Sequence, residues 1–196
     1  MAIRANHLLL ATALTCFGSE TDCARAEAFD SHLTIMVYEY KGMTADTLLE
    51  VEKETSQIFR KSGIGIDWIL CRTAETIQEC PNPTPSSPAV RMVSRFQLVK
   101  DRVHRETMGY ATGNFATVSV DFAQDLEKLG MGRTPEILAH VIAHELGHVL
   151  LPGPAHAVSG IMRANWNTTD WTLIQQKRLN FTTEQARFLR AELSDR

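Results

Sequence analysis

The stretch that decides the fold is Thr134-Pro135-Glu136-Ile137-Leu138-Ala139-His140-Val141-Ile142-Ala143-His144-Glu145-Leu146-Gly147-His148-Val149-Leu150. Thr134 is a capping residue, Pro135 follows at the first helical position, and Glu136 brings an acid to the positive end, so a helix is predicted to start here. It runs to Leu150 or Leu151, where Pro152-Gly153 stops it. Inside it, His144 and His148 are four residues apart, which places their rings on one face with Cβ atoms about 5 to 6 Å apart, close enough to share one ion. Two histidines on a helix are ordinarily surface or core residues. What sets this pair apart is the full H-E-x-x-H pattern inside a segment that reads as helix throughout.

The chemistry suited to this spacing is one zinc ion, with about 2.0 to 2.1 Å from each imidazole nitrogen, a third protein ligand and water in the fourth position. Glu145 lies one residue round the helix and reaches that water rather than the metal. It is the candidate base, taking a proton from a Zn-bound water and handing it to a leaving amine. His140 lies one turn earlier on the same face. Eight residues separate it from His148, about 12 Å along a helix, too far to share the ion, so a packing or supporting role is expected. For the third ligand the nearest downstream histidine is His156. The rival is Glu184 on a later helix, although Thr183-Glu184-Gln185 lacks the asparagine-glutamate pattern of zinc proteases that use such a glutamate.

His144-Glu145-x-x-His148, then Gly153-x-x-His156 and then Ser159-Gly160-Ile161-Met162, together resemble the metzincin clan of zinc metallopeptidases, whose pattern is H-E-x-x-H-x-x-G-x-x-H with a downstream methionine turn. The glycine and third histidine stand two residues late, with Leu151 and Pro154 in the usual positions, so a two-residue insertion at the helix exit is read. The resemblance implies that His144, His148 and His156 hold one catalytic Zn2+, that Gly153 lets the chain leave the helix, and that Met162 packs beneath the site. It further implies an α+β, zincin-like fold: a twisted, mixed sheet of four to five strands with an antiparallel edge strand, a backing helix, the active-site helix and a small C-terminal helical subdomain. By the same analogy Phe115 to Phe122 would border the cleft and bind extended substrate by strand addition.

Outside this region the elements are read from periodicity. Leu33 to Tyr40 reads as a buried strand, Thr44 caps a helix to about Lys61, and Ile64, Ile66, Trp68 and Leu70 alternate as a second strand. Val90 to Phe96 and Phe115 to Phe122 read as two more. Pro81 to Pro88 is a stiff proline loop, and a last helix capped by Thr182, with Gln185 three residues on, is predicted to dock through Ala186, Leu189 and Leu193. In the segment Arg163 to Trp171, Trp166 is expected to pack.

The first 28 residues read as a signal peptide: Arg4 gives a positive start, Leu8 to Phe17 is mostly apolar, and small residues at Ala24, Ala26 and Ala28 suit cleavage after Ala26 or Ala28. The apolar run is about half of a membrane span, so no stable membrane anchor is expected. Cleavage leaves Cys71 and Cys80, which flank a short polar loop and suit a disulfide in an oxidising compartment. With 196 residues, 44% of them hydrophobic, residues 29–196 are expected to form one metallopeptidase domain, an upper part at about 29–151 and a lower part at about 152–196. A formal charge of −3 gives no reason to expect nucleic acid as partner. The expectation is a secreted, extracellular or periplasmic endopeptidase, monomeric, acting on peptide or protein substrates. A reading from another class is a secreted zinc-binding module without catalysis; Glu145 speaks against it, because a closed structural site has no use for a base beside the metal.

Overall fold

The computed structural model describes residues 31–38, 43–71, 80–101, 107–153 and 155–194. The predicted signal peptide and its cleavage sites lie outside the described residues. Ser31–Tyr38 forms β1, and helix α1, Ala45–Arg60, crosses over to β2, Ile64–Cys71, which pairs parallel to β1 from Ser31↔Ile64 to Tyr38↔Cys71. Thr44 caps α1 as predicted, its hydroxyl accepting from the Thr47 N–H at 3.2 Å. Leu48, Val51, Ile58 and Phe59 recur at helical spacing and are buried against the sheet.

Two predicted strands are shorter than expected. β3 is Ala89–Val93, not Val90 to Phe96, because the Ser94 hydroxyl accepts from the Gln97 N–H at 3.3 Å and starts helix α2, Arg95–Lys100. Phe96 therefore lies on this helix instead of in the strand and is exposed. In the same way β5 is Phe115–Ser119, and Ser119 caps helix α3, Val120–Lys128, by accepting from the Phe122 N–H at 3.3 Å. Val120 and Ala123, three residues apart, are its buried positions.

Among the described residues the sheet has five strands in the order β2-β1-β3-β5-β4, where β4 is Gly109–Thr112. Every neighbouring pair is parallel except β4 with β5, which is antiparallel and leaves β4 as an edge. The mixed sheet with one antiparallel edge was expected, but the edge is not where it was placed: Phe115 to Phe122 begins as an interior strand, and the edge falls to the short segment before it.

Helix α4, Thr134–Leu150, packs against α1 and the sheet, with Ile137, Leu138, Val141, Ile142 and Leu146 in the same core as Leu33, Ile35, Val37, Val90 and Val118. It is buried almost all round, as a helix apolar on every face requires. Its cap is Arg133 rather than Thr134; the Glu136 carboxylate accepts from the Arg133 backbone N–H at 3.2 Å and from its Nε at 3.0 Å. Two helices close the chain. α5, Thr168–Gln175, starts at a reciprocal cap in which Asn167 Oδ1 accepts from the Asp170 N–H at 3.1 Å and Asp170 Oδ2 from the Asn167 N–H at 2.9 Å. α6, Thr183–Ser194, starts at the predicted Thr182 and Gln185 pair, bonded both ways at 2.9 and 3.3 Å, and buries Ala186 and Leu189. Leu193 packs half-buried beside them. Lys177, with φ 56°, turns the chain between these helices and sends its Nζ to the buried Glu54 carboxylate of α1 at 2.5 Å. Cys71 and Cys80 form the expected disulfide. Among the described residues, no helix is long and apolar enough to cross a membrane.

Candidate metal centre

Helix α4 brings His144 and His148 to one face, their ring centroids 4.9 Å apart. Past Leu150 the backbone turns extended at Leu151 and left-handed at Gly153, φ 72°, which carries the chain back towards the helix and delivers His156. His148 Nε2 lies 3.1 Å from His144 Nε2 and 3.1 Å from His156 Nε2. Among the described residues this trio is the group able to hold a metal ion, and Glu184 is not part of it.

The donor set fits zinc. Four-coordinate tetrahedral geometry with Zn–N near 2.0 to 2.1 Å separates ligand nitrogens by about 3.3 Å, close to the spacing observed. His148 Nε2 faces two other ring nitrogens and carries at most one proton, so it cannot donate to both; a shared cation satisfies all three. The His144 Nδ1–H donates to the Ile161 carbonyl at 2.7 Å, which leaves Nε2 as the nitrogen with the free lone pair. Burial holds the His144 imidazole down at about 4 against the opposing pull of that bond, and burial also lowers His148, followed by the neighbouring His156. Both rings are therefore neutral at pH 7 and able to ligate.

Ile161 belongs to a tight turn. The Ala157 N–H donates to the Met162 carbonyl and the Ile161 N–H to the Asn180 carbonyl, both at 2.9 Å. Ile161 and Met162 are fully buried, and Met162 lies under the helix against Gly147, as the methionine turn was expected to.

Glu145 lines the same cleft as the histidines and lies against β4. A Cβ built on Gly109 would stand 3.0 Å from Glu145 Cγ and 2.8 Å from the Thr117 carbonyl oxygen, so only glycine lets the edge strand come this close. Burial pushes the Glu145 carboxyl up to about 8. A dication beside it would act in the opposite direction, since nearby positive charge favours the ionised form.

The three histidines and Glu145 open into a cleft of about 710 Å³. It is lined by β4, by Phe122, Leu126 and Val141, and by the segment Arg163 to Trp166 together with Trp171. Arg163 is tied down, its Nε to Asp170 Oδ2 at 3.0 Å, and Trp166 packs as expected, edge-on against His144 and Trp171. His140 takes the supporting place expected of it, buried, with Nδ1 2.7 Å from the Glu136 carbonyl and its ring edge-on to Trp166. What the sequence reading missed is β4, and α5, whose signal was Asn167 with an acid three residues later.

No family model and no curated protein matches the chain. A crystal structure of archaemetzincin from Methanopyrus kandleri is similar to it, with 15% identity and a TM-score of 0.48, covering 84% of this chain and 96% of that one.

Proposed function

We propose that the chain is a secreted zinc-dependent endopeptidase in which His144, His148 and His156 hold one zinc ion and Glu145 is the general base. The observation that carries this reading is the convergence of three imidazole nitrogens, with His148 Nε2 3.1 Å from each of the other two, beside a buried carboxylate in the wall of an open cleft. Zinc bound there supplies a Lewis acid and an acidified water. The protein supplies the rest. Ile161 fixes which nitrogen of His144 is free, Gly109 and the helix hold Glu145 at the cleft wall, and Glu145 takes a proton during attack on the scissile carbonyl and returns it to the leaving amine. The outer edge of β4, in the role first given to Phe115–Phe122, offers its backbone groups to an extended peptide.

Secretion after removal of residues 1–28 suits the Cys71–Cys80 disulfide, which persists in an oxidising compartment. Residues 29–196 then act as one domain, an upper part at about 29–151 and a lower part at about 152–196. The test is cleavage of a broad peptide library by the zinc-loaded mature chain and by Glu145→Ala at the same zinc load. Chelator-sensitive cleavage by the wild type and none by the variant is expected. If both hold zinc and neither cuts, the zinc-binding module is the correct reading.

A further inference from the structure

The carbonyl oxygen of Ile161 accepts two N–H groups, His144 Nδ1–H at 2.7 Å and the Trp166 indole Nε1–H at 3.1 Å. A carbonyl has two lone pairs, so both bonds can be made at once, and each limits where the other can point. Trp166 does more than share the acceptor. Its ring meets the His144 ring edge-on, centroids 5.9 Å apart at 84°, and meets His140 and Trp171 in the same manner at 6.5 and 5.5 Å. Such packing restricts rotation of the imidazole and shields its Nδ1 bond from the cleft. The indole is itself held from both sides. Arg163, three residues before it, pairs with the buried Asp170, and Asn167, directly after it, donates its N–H to the same carboxylate while its Oδ1 accepts from the Asp170 backbone N–H.

We propose that Trp166 is a positioning residue for the metal centre, acting through the Ile161 carbonyl to fix the tautomer and orientation of His144. The inference rests on the three-histidine zinc site and adds to it a residue that touches neither ion nor reacting atoms. Removing an outer partner of a ligating histidine typically weakens metal binding by about 10- to 100-fold. A residue that only fills space would be replaced by another aromatic ring without loss.

The experiment is zinc affinity of the full mature chain by chelator competition, for wild type, Trp166→Phe and Trp166→Ala. Phenylalanine keeps a ring in place and deletes the N–H. The expected result is tight binding by the wild type and binding weakened about 10-fold or more by Trp166→Phe. Equal affinity of wild type and Trp166→Phe, with loss confined to Trp166→Ala, overturns the proposal and leaves the metal centre intact. A wild type that takes up no zinc removes the metal centre itself, and the proposal with it. A second measurement needs no variant: by NMR of the wild type, the Trp166 indole proton should be protected from exchange and should shift on zinc addition. A rapidly exchanging, zinc-insensitive signal also overturns the proposal.

Discussion

Met162 lies so close beneath Gly147 that a Cβ on the glycine would overlap its Sδ and would stand 2.9 Å from its Cε. Phe181 closes the same space, 3.2 Å from that position. The helix that carries His144 and His148 therefore rests on the turn that carries the Ile161 carbonyl, and a single missing side chain sets the distance between them. Gly147→Ala is expected to destabilise the metal-free protein by about 1 to 3 kcal/mol, the usual cost of overpacking a filled core. Urea denaturation checks this; an unchanged midpoint would mean that the sulfur moves aside freely.

Gly109→Ala probes the opposite side of the same helix. The added methyl meets the Thr117 carbonyl and the Glu145 side chain, not the histidines. Zinc content should stay at the wild-type level while kcat/KM falls roughly 10- to 100-fold, because a base displaced by a fraction of an ångström is poorly aligned. Loss of zinc in this variant would show that β4 supports the ligands rather than the base.

The pH dependence of the metal-free protein has a definite sign. Glu145 is raised from the usual value near 4.5 to about 8, so its contribution to stability is complete below 4.5 and is lost as pH rises towards 8. His144 is lowered from 6.5 to about 4, so its contribution is present above 6.5 and is lost as pH falls towards 4. Glu145→Gln removes the first effect alone. Relative to wild type the variant should gain stability steadily between pH 5 and pH 8, in chemical denaturation of chelator-treated samples. Parallel curves for the two proteins across that window would contradict the buried, cation-free carboxylate described above.

The Cys71–Cys80 bridge lies at the end of β2, away from the metal centre, and spans nine positions. Closing a loop of that size limits the unfolded chain by about 2.5 to 3 kcal/mol on the entropic account. Reduction should therefore lower the unfolding free energy by about that amount and leave one zinc bound. Metal lost along with the bridge would show that the disulfide shapes the site.

The sequence was most readable where one physical signal dominated. α4 carries Pro135, Glu136 and its chemistry within 17 residues, although its cap is Arg133 just before them, and the Thr182 and Gln185 pair announced α6. The grouping of the three histidines was legible from helix geometry for His144 and His148 and from a shifted family pattern for His156. The errors fell where two signals competed. Alternating apolar residues ran across Ser94 and Ser119, and the serine hydroxyls turned those strands into helices, so that Val120 and Ala123 are buried at helical rather than strand spacing. β4 was hidden for another reason: four residues, Gly109 to Thr112, have too little alternation to read, and they become a strand only by pairing with Phe115 to Val118 across the sheet. The Trp166 indole bond was beyond reach of sequence altogether, since its acceptor is a backbone carbonyl placed by the turn.

The most direct test of the metal centre is the zinc stoichiometry of the purified mature chain and of four variants after exhaustive exchange against buffered zinc. One equivalent is predicted for the wild type and for Glu184→Ala, with zinc lost from His144→Ala, His148→Ala and His156→Ala. A His156→Ala protein that keeps its zinc while Glu184→Ala loses it would contradict the account.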